Sequence, residues 1–305
     1  MHVSILVPEG DSSLSNLEAT FKMFHMTNSA LQRSGKDPMF STHLVGIHKK
    51  PSSSNGMFSI TPSLSIEEVE RTDLIIIPAI HGDYREVVAQ NKVFIPWIKA
   101  QYGRGAEVAS LCIGAFLLAG TGLLDGKECA THWLAASEFR EMYPEVKLID
   151  DKIITDEEGL YTSGGAYSSL NLNLYLVEKF AGRDMAILSS KIFEIDMGRF
   201  SQSPFIIFKG QKAHDDTVVL TAQEYIEQHY RDKITVDKLA EQLAVSRRTF
   251  ERRLKKATSN TVIEYVQRVK VEAAKKALEK GRKTVSEIMY DVGYNDPKAF
   301  RMTFK

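Results

Sequence analysis

The sequence predicts an α/β domain built on a doubly wound parallel sheet, followed by an all-α domain with two helix-turn-helix units. Short apolar runs alternate with helical stretches in the first part of the chain, as in a parallel sheet that helices cover on both faces. Near the C-terminus, a pattern of two helices around a short turn occurs twice, about fifty residues apart. The length of 305 residues is sufficient for two domains with separate cores.

The charge of the chain is unevenly distributed between these two parts. The whole chain is neutral, with 39 Lys plus Arg and 39 Asp plus Glu. Residues 215–305 contain 19 Lys plus Arg against 14 Asp plus Glu, so this part carries +5 and the remainder carries −5. A basic module is therefore joined to an acidic one.

Features of a secreted, membrane or metal-binding protein are weak in this sequence. The N-terminal stretch MHVSILVPEGD has neither the basic region nor the length of a signal peptide. The longest uncharged run, Leu111–Leu124, is too short to span a bilayer and is interrupted by glycines. Two cysteines do not suggest a disulfide framework, and the eight histidines lack metal-ligand spacing. We expect a cytoplasmic protein without metal or cofactor.

The N-terminal domain contains four strand-like apolar runs with helical stretches between them. Such an order predicts parallel strands, because each crossover helix returns the chain to the end of the sheet where the previous strand began, and the next strand then runs in the same direction. The predicted strands are Val3–Val7, His43–Ile47, Leu74–Ile77 and Val108–Cys112, and the helical stretches include Leu14–Leu31 and Tyr84–Tyr102.

Binding sites in sheets of this kind lie beyond the carboxyl ends of the strands. That rule points to Glu9–Asn16, Pro78–Gly82 and Cys112–Gly114. At the third segment, Gly114 lets the chain turn sharply from a buried strand into a helix, which would expose Cys112 as a nucleophile and stabilise its thiolate through helix amides. The alternative is that Cys112 is a small buried hydrophobe.

A boundary between the domains is predicted where periodicity is lost, in the stretch FIIFKGQKAHDD. We therefore assign residues 1–204 to the first domain, 205–217 to a linker and 218–305 to the second domain.

The first helix-turn-helix unit lies in the stretch LAEQLAVSRRTFERRLKK. Thr235 is a good N-cap for its first helix, and Ala244 and Val245 form the turn. Ser246 can cap a second helix on which Phe250 and Leu254 face inward. Arginine and lysine side chains fall on the opposite side of this helix, where they could bind guanine edges and phosphates, or only form a solvated charged face.

The pattern restarts at Thr284, and the repeat favours the DNA-binding interpretation. Thr284 and Glu287 form a capping box, and Gly293 suits the position after the helix. Asn295 or Asp296 can cap the next helix, with Pro297 in its first turn. Residues Phe300 and Phe304 repeat the inward spacing, and Lys298, Arg301 and Lys305 point away from them.

The two units are connected by Val262–Lys280, which has the periodicity of one uninterrupted helix, roughly 28 Å long at the usual rise. Such a helix could set the two reading helices about one turn of DNA apart. The predicted DNA-binding residues are Arg247, Arg248, Arg252, Lys255, Lys256, Asn295, Lys298 and Arg301.

This tandem arrangement, from about Val218 onward, resembles the AraC-type DNA-binding domain. The N-terminal part is similar to the PfpI-like branch of the class I glutamine amidotransferase fold, which has a flavodoxin-like sheet. The segments that carry this second resemblance are EVASLCIGAFLLAGTGLLDGKECATHW, YTSGGAYSSLNLNLYLVEKFAG and DMGRFSQSPF. In that family the cysteine occupies a nucleophile elbow and a histidine lies near it, which the resemblance assigns to Cys112 and His132.

The catalytic apparatus of the family is not matched in full. Hydrolytic members place a histidine directly after the cysteine, where this chain has Ile113. Many members keep a carboxylate near the sulfur, where the alignment gives Asn16, and an amide cannot serve as the same base. The turn after the strand at Leu74 reads PAIHG, which leaves an oxyanion site without its glycine-rich loop. The resemblance therefore implies a ligand pocket at Asn16, Ile80, Cys112, Ile113 and His132.

The combination of the two domains resembles bacterial transcription regulators that often control catabolism of amino acids or amines. We expect a homodimeric regulator that is not an enzyme, binds double-stranded DNA and senses a small amine or amino acid. Two alternatives remain open at this point: a cysteine-dependent hydrolase or glyoxal-processing enzyme attached to a DNA-binding module, and a redox sensor based on Cys112.

Overall fold

The computed structural model describes residues 1–54, 56–212, 214–258 and 260–304. The chain divides into two compact units, Met1–Ile206 and Ile207–Lys305, which we call unit 1 and unit 2. Unit 1 contains the strands and a set of helices, whereas the described part of unit 2 is helical.

The strands are numbered in chain order, and all of them lie in unit 1. Strands β1 to β13 are His2–Val7, Asp11–Ser12, Ser41–Gly46, Ser52–Ser54, Phe58–Ile60, Leu64–Ser65, Leu74–Ile77, Ile80–His81, Glu107–Ser110, Glu128–Cys129, Lys147–Leu148, Ile154–Glu157 and Leu160–Ser163.

The α-helices are numbered in the same way, with α1 to α7 in unit 1 and α8 to α13 in unit 2. Helices α1 to α7 are Leu14–Arg33, Tyr84–Gln90, Phe94–Gly103, Ala115–Ala119, Ala136–Met142, Ser169–Ala181 and Arg183–Ile192. Helices α8 to α13 are Thr217–His229, Val236–Gln242, Arg247–Thr258, Val262–Glu279, Val285–Asp291 and Pro297–Phe304.

Within the described ranges, seven strands form one sheet in the order β12-β13-β9-β7-β1-β3-β6. Neighbours in this sheet are parallel except for β12 and β13, which are antiparallel. The four strands predicted from the sequence are the adjacent β9, β7, β1 and β3. The predicted doubly wound sheet is therefore confirmed, with an antiparallel strand added at one edge.

Both faces of the sheet are covered, as alternate residues along a strand show. Ile76 in β7 belongs to a core with Phe24 of α1 and Leu176 of α6. Its neighbour Ile77 belongs to the other core, which includes Phe116 of α4. Because side chains alternate between the faces of a strand, a run of buried residues such as Leu74–Ile77 requires helices on both sides.

The helical stretch predicted over Tyr84–Tyr102 consists of two helices, α2 and α3, with a break between them. Asn91 ends α2, and its buried side chain bonds to the backbone of Glu9, with donor–acceptor distances of 2.8 and 3.0 Å. Pro96 lies in the first turn of α3. A proline in the middle of one continuous helix would remove a hydrogen bond and clash with the preceding turn.

The described residues of unit 2 form two small apolar cores that share helix α11. One core joins Val219 of α8, Leu239 of α9 and Phe250 of α10 to the first half of α11. The other joins Ile288 of α12 and Phe300 of α13 to its second half. The predicted continuous helix at Val262–Lys280 is confirmed as α11, and the prediction of two helical units is confirmed with it.

Candidate functional site

The first candidate site is the turn at Cys112, beyond the carboxyl end of β9. The strand ends at Ser110, two residues earlier than predicted, because Cys112 adopts a positive φ of 56°. Gly114 follows at a close approach, where an added Cβ would lie 2.6 Å from the carbonyl oxygens of Ile77 and Pro78. Strained backbone at a non-glycine residue and a glycine without space for a side chain are features of a nucleophile elbow.

The thiol at this turn is not activated. Cys112 is 4% exposed. Burial raises the pKa of its thiol to about 11, and backbone hydrogen bonds from Ile113 and Ala166 lower the pKa by less than burial raises it. The expectation that helix amides stabilise a thiolate here is therefore wrong, because loss of water around the sulfur outweighs the amide dipoles.

This pKa predicts slow alkylation of Cys112 in the folded protein. At pH 8, a thiol with a pKa near 11 has about one hundredth of the thiolate of a thiol at the ordinary value of 9.0. We expect iodoacetamide to label Cys112 at least about a hundredfold more slowly in the native chain than in the urea-unfolded chain, with the rate still rising above pH 9. Mass spectrometry of the labelled peptide measures both rates. Equal rates at pH 8 would show an accessible thiolate.

His132 lies close to the same turn without forming a bonded pair with the sulfur. Its Nδ1 accepts a hydrogen bond from the backbone N–H of Leu134 at 3.1 Å, so the neutral ring carries its proton on Nε2. Burial lowers the pKa of His132. In the described part of the chain, no hydrogen bond joins His132 to Cys112, and a resting cysteine–histidine ion pair is therefore absent there.

The remaining positions of the predicted ligand pocket are buried and mainly structural. Asn16 bridges two elements: its Nδ2 donates to Ser169 Oγ at 3.1 Å, and its Oδ1 accepts from the backbone N–H of Ala79 at 3.1 Å. Ile80 and Ile113 belong to the same apolar core as Cys112. The structure thus connects Asn16 to Ser169 and places His132 beside Gly165, in the same segment whose Ala166 contacts Cys112, while both isoleucines contribute apolar surface.

The sequence prediction assigned no site residue to the segment Asp196–Phe205, which we call the strap. Gln202 fixes the strap to other segments of unit 1: its Nε2 donates to the carbonyl oxygens of Thr131 at 2.9 Å and Lys152 at 3.2 Å. Its Oε1 accepts from the N–H of Gly165 at 3.1 Å. The motif DMGRFSQSPF contains this glutamine, but no local pattern indicates which backbone groups it binds.

The second candidate site is the pair of basic helices α10 and α13 in unit 2. The caps predicted for the first unit are confirmed: Thr235 Oγ1 accepts from the N–H of Lys238 at 3.4 Å, and Ser246 Oγ accepts from the N–H of Thr249 at 3.2 Å. Between these helices, Ala244 has a positive φ of 53°. The tight turn aligns α10 so that its apolar side meets the core and its basic side faces outward.

The second unit repeats this geometry. Thr284 and Glu287 form the predicted capping box, and Gly293 has a positive φ of 78° after α12. Asp296 caps α13 by accepting from the N–H of Lys298 at 2.9 Å, which decides between the two cap residues left open by the sequence. Asn295 is exposed next to this cap.

The predicted DNA-binding residues divide into those with and without an ion-pair partner. Arg247 is bound within the unit, at 3.3 Å from Asp237 and 3.1 Å from Glu251. Arg253, which we did not predict, pairs with Asp216 at 2.6 Å. Lys305 lies outside the described residues. The other cationic side chains predicted to bind DNA in the described ranges are exposed and form no ion pair with a carboxylate there: Arg248, Arg252, Lys255, Lys256, Lys298 and Arg301.

Metal and membrane features were searched in the residues that the structure describes. No group of three or more His, Cys, Asp or Glu side chains there could hold a metal ion. Among the described helices, none is both long enough and apolar enough to cross a bilayer.

Comparison with family models gives two matches. A model described as the DJ-1/PfpI family matches residues 24–179. A model described as a helix-turn-helix domain matches residues 239–305. The two matched segments contain the two candidate sites, the Cys112 turn and the basic helices.

Similar proteins include regulators and one enzyme. The chain is 22% identical to the HTH-type transcriptional regulator GbdR of Pseudomonas aeruginosa, over 96% of this chain and 78% of that protein. It is 27% identical to an isonitrile hydratase of Pseudomonas putida, over 50% of this chain and 64% of the hydratase. A crystal structure of an AraC family transcriptional regulator from Pseudomonas putida matches in fold, with a TM-score of 0.52, 17% identity, and coverage of 63% of this chain and 98% of that one.

Proposed function

Because this chain belongs to the DJ-1/PfpI family and ends in an AraC-type helix-turn-helix domain, we propose that it is a sequence-specific transcription regulator controlled by a small metabolite. The observation that carries the DNA-binding part is the repeated pair of helices α10 and α13. Each presents exposed cations on one side and a buried phenylalanine on the other. This is the arrangement in which a second helix can enter the major groove.

The division of contacts on DNA follows from the ion pairs. Arg248 and Arg252 lie four residues apart on α10, so they share one exposed face and can reach adjacent base edges. Lys255 and Lys256 at the end of α10 suit phosphate contacts, as do Lys298 and Arg301 on α13. Arg247 would have to leave Asp237 and Glu251 to reach DNA, and we assign it a backbone contact.

Substitution of Arg248 or Arg252 by alanine tests the reading face. Each change should weaken binding to an operator selected from random duplexes by roughly 1 to 3 kcal/mol, if the arginine makes a bidentate base contact. Fluorescence anisotropy of labelled operator measures this loss. Arg104→Ala, which removes the same charge from an exposed site in unit 1, is the control and should leave affinity unchanged. Unchanged affinity in both test variants would refute the assignment.

Unit 1 is proposed to sense an amine or amino acid and to form the dimer. We place the ligand at the Cys112 turn, with Asn16, Ile80, Ile113 and His132 around it. Support comes from the family position of the turn and from the buried, un-ionised thiol, which suits a pocket better than a nucleophile. In this proposal residues 1–204 form the sensing domain, 205–217 the linker and 218–305 the DNA-binding domain.

A catalytic role for unit 1 is the second candidate, because the isonitrile hydratase is similar to half of the chain. The raised pKa of Cys112, Ile113 after it and the amide of Asn16 all weigh against a cysteine nucleophile. The expected result is no turnover of isonitrile, amide or α-oxoaldehyde substrates. Turnover that disappears in Cys112→Ala would establish the enzyme instead.

The redox-sensor alternative is weakened for the same physical reason. Burial also raises the pKa of Cys129, to about 12, so both thiols are protonated at neutral pH. Oxidation to sulfenic acid requires thiolate. Peroxide treatment followed by an operator-binding assay should leave affinity unaltered.

A further inference from the structure

Arg199 in the strap has an unusual environment for an arginine. Its Nη2 donates to Ser168 Oγ at 3.3 Å, and its guanidinium carbon lies 4.4 Å from the centre of the Phe205 ring. Its Nε is buried and has no hydrogen-bond partner among the residues that the structure describes. Within the same part of the chain, no carboxylate forms an ion pair with it. The side chain is therefore a positioned cation with unused donors.

No ion pair joins Arg199 to a carboxylate in the described residues, and several nearby charges in the sequence are bound elsewhere. Arg140 and Asp150 pair with each other at 2.9 Å, and Lys152 pairs with Glu128 at 2.5 Å. Asp196, at the start of the strap, accepts from the N–H of Gly198 instead. A guanidinium cannot lose its charge at physiological pH, so the local positive charge persists.

The position of Arg199 connects it to the candidate ligand site. Ser168, which Arg199 contacts, belongs to the single turn Ala166–Ser168. Ala166 in this turn provides a backbone hydrogen bond to the sulfur of Cys112. Gly165, directly before the turn, is so close to His132 that an added Cβ would lie 3.2 Å from its Cδ2. Arg199, Cys112 and His132 thus surround the same short segment.

We propose that Arg199 binds the carboxylate of the metabolite sensed by unit 1, so that the effector is an amino acid and not an amine without a carboxylate. This inference rests on the proposed sensing function and specifies its chemistry. A planar guanidinium offers two parallel donors to a carboxylate, and stacking on Phe205 holds the plane in place. The buried Nε cannot reach a ligand, so the two donors offered to the carboxylate are those of the terminal nitrogens Nη1 and Nη2.

Calorimetric titration of the full chain with matched pairs of compounds tests this assignment. The probes are the protein amino acids, β-alanine and 4-aminobutyrate, each compared with the amine that remains when its carboxylate is removed. We expect at least one amino acid to bind, and its amine to bind about 10- to 100-fold more weakly, the range for losing a charged hydrogen-bonding group.

Variants at Arg199 connect this preference to the side chain. Arg199→Gln should reduce the affinity of the amino acid about 10- to 100-fold and leave that of the amine unchanged. The amino-acid affinity of Arg199→Lys should lie between those of the unsubstituted chain and Arg199→Gln. An ammonium keeps the positive charge but lacks the two parallel donors of a guanidinium. Arg183→Gln is the control: it removes an exposed guanidinium of unit 1 that is paired with Glu178. Melting curves of the unliganded variants show whether each of them folds. If Arg199→Gln does not fold, the affinities measured for Arg199→Lys test the proposal instead.

Three results would overturn the proposal. They are equal affinity for an amino acid and its amine, unchanged amino-acid affinity in Arg199→Gln, and no binding by any amino acid of the panel. Calorimetry measures ligand binding without DNA. A failure of operator binding would therefore refute the regulatory function, while the ligand affinities would still test the role of Arg199.

Discussion

Operator binding by the full chain should weaken by about a thousandfold between about 50 and 200 mM salt, the loss expected when about six phosphates are neutralised. From Arg247 to Lys283 there are 13 Lys plus Arg against 4 Asp plus Glu. Some of these cations are paired within unit 2, including Arg253 with Asp216 and Lys276 with Glu272. The salt dependence should therefore come mainly from the remaining cations of α10 and of the α11 region, with Lys298 and Arg301 of α13 adding to them.

A fragment of unit 2 tests which part of the chain produces this salt dependence. We expect the fragment to retain most of the slope of log affinity against log salt, since unit 1 is acidic. It should begin at Ile207, because the N–H of Phe208 donates to Glu272 at 3.0 Å and Asp216 caps α8. Binding to a two-site operator should be weaker than for the full chain, because the proposed dimer no longer links two copies.

Matched substitutions locate the phosphate contacts within unit 2. Replacing Lys255 and Lys256 together by Gln should reduce the magnitude of the slope by about 1.8, or about 0.9 for each phosphate that is no longer neutralised. The control replaces Lys22 and Lys49, which are exposed in unit 1, by Gln. It removes the same charge and should leave the slope unchanged. If the slope collapses in the unit 2 fragment, unit 1 contacts DNA directly and our division of roles is wrong.

Phe250→Ala should destabilise unit 2 by about 3 to 5 kcal/mol, the usual cost of truncating a fully buried phenylalanine. The side chain of Phe250 is 0% exposed and packs in the core formed by α8, α9, α10 and α11. This core is small, so the cavity cannot be filled by adjustment elsewhere. Operator binding should also be lost, because Phe250 would no longer pack α10 against the other helices of this core.

The measurement is urea unfolding followed by two probes. Helical circular dichroism reports both units, whereas tryptophan fluorescence reports unit 1, since Trp97 and Trp133 are the two tryptophans of the chain. The fluorescence midpoint should not move in Phe250→Ala. Tyr290→Ala, which truncates an aromatic side chain that is 61% exposed in unit 2, should change stability by no more than about 0.5 kcal/mol. A cost below about 1 kcal/mol for Phe250→Ala would contradict the packing described here.

The sequence alone determined the elements whose cause is local. Helix caps at Thr235, Ser246 and Thr284 were predicted because a side-chain oxygen bonds to a backbone N–H two or three residues ahead. The inward positions Phe250 and Phe300 follow from helical spacing. The turn at Gly114 was predicted from a strand, a glycine and a helix in immediate succession.

Only the tertiary structure decided features that depend on residues far apart in the chain. The side chain of Gln202 joins backbone groups 71 and 50 positions away, at Thr131 and Lys152. The pKa of Cys112 depends on how completely other segments exclude water from its sulfur, and the order of residues does not give that degree of burial. Likewise, Arg199 became a candidate ligand contact only when folding left it beside Ser168 without a carboxylate partner in the described residues.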